Sequence, residues 1–249
     1  MKTTSRTPAD PRPTGLTTDQ LRRLSGVALI AALPLQVAGF LLHPPSEELR
    51  HVVQAAYGPA HLVLFASWVL AMLGLPGLYA VQAHRAGRLG LAAFVGTMIA
   101  TAYHLFLTLY EASAVPVVAA QPTAEALLGA EGPLSHGAGA LGPVAGALVL
   151  AFLLLGVATL RAGVLPRSVG WLQVACVPVF VVLVIGIGAV TGGTVGAEAS
   201  TWVAGMLPIS ALYWVLFSGY ALGGRTLLTA HGARAATAST EPPLATATT

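Results

Sequence analysis

Charge is what this sequence has least of: Asp, Glu, Lys and Arg make up 8% of its 249 residues, against roughly 25% in an ordinary soluble domain. A soluble fold of this length needs a charged exterior to stay in solution. With 55% of residues in the apolar set and a mean hydropathy of +0.77, the solvent for most of the chain is predicted to be lipid. The composition argues against a soluble enzyme, a nucleic-acid binder and a secreted disulfide scaffold. Cysteine is nearly missing: the single Cys176 has no partner for an intrachain disulfide and reads as a small packing residue inside an apolar run. Catalytic signatures are missing too. There is no H-E-x-x-H, no Ser-His-Asp order and no P-loop. Gly186-Ile-Gly188 lies in an apolar helix without the strand, turn and later acid of a dinucleotide site. No catalytic residue, metal set or cofactor is assigned, and enzymatic activity is not the favoured expectation.

What is present is a series of apolar runs. A hydrocarbon core of ~30 Å takes roughly 20 apolar residues per helix. Six segments meet that length: 24–42, 59–81, 89–112, 138–160, 169–190 and 202–223. The fold class is therefore all-α, a polytopic membrane protein built as a bundle of six transmembrane helices. Residues 1–20 and 225–249 are polar or Ala/Thr-rich and read as disordered tails on either side of a membrane domain at 21–224. The run at 27–42 is long for a signal peptide and is followed by no clear A-x-A site, so cleavage is not expected.

The charges orient this arrangement. Eleven of the twelve cations (Lys2, Arg6, Arg12, Arg22, Arg23, Arg85, Arg88, Arg161, Arg167, Arg225 and Arg234) fall on one side of a six-span topology, and Arg50 falls on the other. The positive-inside rule then puts both termini in the cytoplasm of a multi-pass cell-membrane protein. Because topology places the cations, the net charge of +3 does not point to nucleic acid as a partner.

The third span carries the chemical signal. Thr97, Thr101, His104, Thr108 and Glu111 are spaced four, three, four and three, which lines them along one helical stripe. Lipid penalises such a face, so it is expected to point into the protein. His43, His51, His61 and His136 join His104 on the outer side, five of the seven histidines. A ligand-binding site opening to the outer leaflet is predicted around His104, Glu111 and Thr108 with His61 and His136, taking a small molecule or coupling to protons. Two alternatives stand beside it. In one, the chain is a membrane scaffold or accessory subunit without a ligand, the outer polar groups satisfy one another, and the threonines bond back to their own helix. In the other, it is a haem- or metal-containing oxidoreductase. His61 and His104 are the nearest approach to a haem pair, while a zinc set of His61, His104, His136 and Glu111 rests on spacings in separate helices.

Packing and partner signals are general. The bilayer is the expected partner. The pairs Gly142/Gly146 and Gly219/Gly223 are small-xxx-small motifs, read first as internal packing and second as faces for a homo-oligomer. Arg161-Ala-Gly-Val-Leu-Pro-Arg167 followed by Gly170-Trp171-Leu172, Gly74-Leu-Pro-Gly-Leu-Tyr79, and Glu111 followed by Pro116 resemble segments of a family of small, uncharacterised six-span integral membrane proteins of bacteria, a domain of unknown function. The resemblance covers most of the apolar region. It implies six helices and no catalytic residue that can be carried over.

Overall fold

The computed structural model describes residues 16–129, 131–134, 141–196 and 199–239. Among these the chain is all-helical: α1 (Thr18–Leu42), α2 (Leu49–Val52), α3 (Tyr57–Ala80), α4 (Ala83–Ala119), α5 (Ala124–Leu128), α6 (Leu141–Ala162), α7 (Arg167–Thr191), α8 (Trp202–Gly205) and α9 (Leu207–Ser239). Five helical stretches among the described residues are long and apolar enough to cross a membrane, at 18–42, 57–80, 83–119, 167–191 and 207–229. A shorter apolar stretch, 146–162, belongs to α6. Large apolar side chains cover the outside, with Leu73, Val182 and Ile185 each more than 60% exposed. Such a surface suits lipid, and the architecture is that of a multi-pass membrane protein.

Local sequence sets the helix ends. Thr17 caps α1: its hydroxyl accepts from Gln20 N–H at 3.2 Å, while Gln20 Oε1 accepts from Thr17 N–H at 2.8 Å, a capping box. The cap and the Asp19–Arg22 pair at 3.1 Å start the helix earlier than hydropathy alone indicates. Pro44 and Pro45 follow the last residues of α1, and the helix stops at Leu42 because a residue before proline is driven out of the α region. Helix α4 breaks at Gly87, where φ is 60° and ψ is −160°, a backbone state open only to glycine. The sixth apolar run, expected as one helix from 202, is divided into α8 and α9 with Met206 between them. Helix α9 runs on past Gly224 to Ser239, where composition predicted a tail. Leu227 in this extension is 1% exposed.

Contacts follow chain order. Helix α1 packs on α3, α3 on α4, α4 on α6, α6 on α7 and α7 on α9, while α9 returns to α1. Two of these seams depend on glycine. A Cβ on Gly26 would stand 2.7 Å from Gly224 O, and one on Gly224 would stand 2.6 Å from Gly26 O, so α1 and α9 meet backbone to backbone. Gly156 and Gly170 repeat the relation between α6 and α7 at 2.9 and 3.0 Å. Gly219 and Gly223 also pack internally, against Leu172, Gln173 and Leu78, whereas a Cβ on Gly146 would meet nothing within 4 Å. Inside, Trp68 lies 4.9 Å from Phe217 and 5.9 Å from Phe152, ring centre to ring centre.

The seams make a direct prediction. Gly224→Val should lower stability by about 1–3 kcal/mol because the added methyls meet a backbone carbonyl that cannot rotate away. Gly146→Ala should leave the thermal unfolding midpoint in detergent undiminished or slightly raised, since its Cβ meets nothing and alanine favours the helix. Equal effects from the two substitutions would contradict the α1–α9 contact.

Candidate functional site

The stripe on α4 is fully inward. Thr97 and Thr101 are 0% exposed, and His104, Thr108 and Glu111 are all buried. Its members do different things. Thr101 donates to Thr97 O and Thr108 to His104 O, both at 2.8 Å, so these hydroxyls are spent on their own helix. Thr97 crosses to Ala151 O at 3.2 Å.

His104 occupies an aromatic box. Its Nδ1 lies 2.7 Å from Ala100 O, and a carbonyl can only accept, so Nδ1 carries the proton. In the neutral ring Nε2 is then the acceptor and takes the Tyr213 hydroxyl at 2.6 Å. Trp68 stacks on the imidazole at 4.5 Å between ring centres. Both ring nitrogens are satisfied by protein groups, as in a histidine built into the core.

Glu111 belongs to a second cluster at the end of the helices. Its Oε2 lies 3.1 Å from His61 Nε2 in the first turns of α3. His61 Nε2 lies 3.2 Å from His43 Nε2, and His43 Nε2 lies 3.1 Å from Glu47 Oε1. Glu47 Oε1 is also 4.0 Å from His61 Nε2. The other oxygen of Glu47, Oε2, accepts from the Tyr57 hydroxyl. His43 and His61 are almost wholly buried, and the Glu47 side chain is 18% exposed. Glu47 is thus the member nearest to the exterior.

The connections around the cluster hold it in place. His43 is the C-cap of α1, with its backbone extended by the two prolines that follow. Trp202 Nε1–H donates to Phe40 O at 3.0 Å, tying α8 to the end of α1. Gly205 lies so close to Pro45 O that a Cβ has no room there, and α8 thereby backs the 43–47 segment. Ser46, also buried, stands 2.6 Å from His51 Nδ1. Burial, then the adjacent Arg50 guanidinium, depress the His51 pKa against the opposing pull of Glu48 and Glu47. Arg50 itself pairs with Glu48.

Of the residues that sequence pattern nominated, the structure brings His61 and Glu111 together. It places His104 and Thr108 further along α4, with His104 bonded to Tyr213 and Thr108 to its own helix, and His136 lies outside the described residues. His43, Glu47 and Tyr57 were not in the nominated set. Their signal is nonetheless in the chain: His43 and Glu47 are four apart across Pro44-Pro45, and Tyr57 and His61 are four apart on one helical face. No protein-family model, curated protein or solved structure matches the chain.

The aromatic box yields a test. Tyr213→Phe removes the donor to His104 Nε2 and leaves a buried acceptor unpaired, which should cost about 1–3 kcal/mol. Thermal unfolding in detergent reads this loss, and an unchanged midpoint would show that His104 is not held as described.

Proposed function

We propose that the chain is a six-span protein of the cell membrane with both termini cytoplasmic, and that the His43–Glu47–His61–Glu111 cluster is its working site, opening to the extracytoplasmic side. The positive-inside distribution supports the orientation. In that topology the connection from α1 to α3, which carries His43 and Glu47, is external. The observation that carries the reading is the burial of Glu111, His61 and His43 beside the partly buried Glu47 in an apolar protein: the Glu111 and His61 side chains are 7% and 3% exposed. Ionisable groups at such positions are costly and mark ligand, ion or proton sites. The site would accept a small charged ligand or exchange protons through Glu47, with Glu111 as the inner carboxylate.

A ligand-free scaffold is the competing use of the same contacts, since His61–Glu111 joins α3 to α4. Glu111→Gln separates the two. The amide keeps the shape of the side chain, and its N–H can donate to His61 Nε2, so the fold should survive with a melting shift under about 4 °C. Removing the charge should abolish the growth or uptake phenotype of the protein and its pH dependence. If stability and function fall in proportion, the carboxylate is structural and the proposal fails.

A further inference from the structure

We infer that His43, Glu47 and His61 form a binding site for a divalent transition-metal ion of the zinc class, with Glu111 supplying the second negative charge beside it. This deepens the reading of the cluster as a ligand site and rests on it.

Two independent observations converge. The first is ligand spacing. His43 Nε2, His61 Nε2 and Glu47 Oε1 all lie within 4.8 Å of one another, with separations of 3.2, 3.1 and 4.0 Å. Nitrogen and oxygen ligands at about 2.0–2.2 Å from a tetrahedral ion stand roughly 3.3–3.5 Å apart. Two edges fall just under that spacing, and the third exceeds it by about half an ångström, an adjustment within reach of a carboxylate rotation.

The second observation is the direction of the protons. His43 Nδ1 lies 2.6 Å from Pro44 O, and His61 Nδ1 lies 2.9 Å from Tyr57 O. Both Nδ1 atoms must donate, so in the neutral rings both Nε2 atoms present lone pairs. These lone pairs face each other and face carboxylate oxygens, an assembly of acceptors that repel unless a metal ion or added protons stand among them. A backbone carbonyl on the far nitrogen of a ligating histidine is the usual orienting contact of a metal site. Tyr57 does the same for Glu47 by donating to Oε2. Two histidines and one carboxylate are a donor set suited to zinc, and they leave a fourth position open. Two carboxylates balance the charge of a divalent ion.

The alternative neutraliser is a pair of protons, one on each Nε2, and the experiment distinguishes the two. Full-length protein purified in detergent is stripped with a chelator, titrated with Zn²⁺ by calorimetry and analysed for bound metal. The wild type should bind one equivalent, and Mg²⁺ should not compete. X-ray absorption of the loaded protein should show a nitrogen and oxygen shell near 2.0 Å with an imidazole signature. His43→Asn and Glu47→Gln should each weaken zinc binding by about 100-fold or more, whereas exposed His84→Ala should leave it unchanged. Zinc should raise the melting temperature of the wild type and not that of Glu47→Gln. A folded wild type with no stoichiometric zinc, a sulfur shell implicating Cys176, or full affinity in both ligand variants would overturn the inference. Loss of zinc binding as an outcome, together with a persistent functional defect in Glu111→Gln, would leave the proton or small-molecule site standing. Absence of both would remove the site altogether.

Discussion

A buried carboxylate, Glu111, and a partly buried one, Glu47, at one end of an apolar helical protein need a counter-charge, and the structure around them gathers two imidazoles at that point. Glu111 reaches His61, and Glu47 reaches His43. An isolated carboxylate taken out of water costs far more than a single hydrogen bond returns. The imidazoles are not left to rotate: backbone carbonyls of Pro44 and Tyr57 hold the far nitrogens. The near nitrogens are thereby aimed at the carboxylates and at each other. The arrangement gathers ionisable groups at one end of the protein while large apolar side chains cover its outside.

The rest of the fold positions that end. Helix α1 must stop where Pro44 and Pro45 stop it, so that His43 leaves the helix with an extended backbone. Helix α3 must begin with Tyr57 and His61 one turn apart, so that both point at the incoming segment. Backbone contact at Gly26 and Gly224 draws α9 against α1, and α8 at the start of that final stretch then closes over the 43–47 segment through Trp202 and Gly205. Deeper in, the box of Trp68, His104, Tyr213 and Phe152 fills the centre with aromatic surface. His104 contributes ring packing and one polar link to it.

That the chain is helical, with several spans of membrane length, was legible because hydropathy has a long range: runs of about 20 apolar residues are hard to read any other way. The inward face of α4 was legible from the four-three spacing of Thr97, Thr101, His104, Thr108 and Glu111, a property of one helix alone. The partners of that face were less accessible. His104 and Tyr213 are 109 positions apart, and only the packing of α9 near α3 and α4 reveals that the histidine is a satisfied core residue. The metal-like triad is different. Its members lie within 18 positions, but the decisive element is an irregular connection whose path depends on two prolines and a buried serine, and hydrophobic periodicity is silent about such segments. Helix ends shifted for similar reasons: a capping box extends α1 and a buried leucine accompanies the extension of α9.

The central claim is that the backbone sets the proton positions on His43 and His61 and turns both Nε2 atoms into the cluster. Nitrogen-15 spectra of histidine-labelled protein in detergent near neutral pH test this most directly. The account predicts that both residues carry a proton on Nδ1, with the Nε2 resonance responding to charge or metal in the site. A deprotonated Nδ1 on either ring would contradict it, because that ring would then face the carboxylates as a simple donor through Nε2 and the cluster would need nothing further.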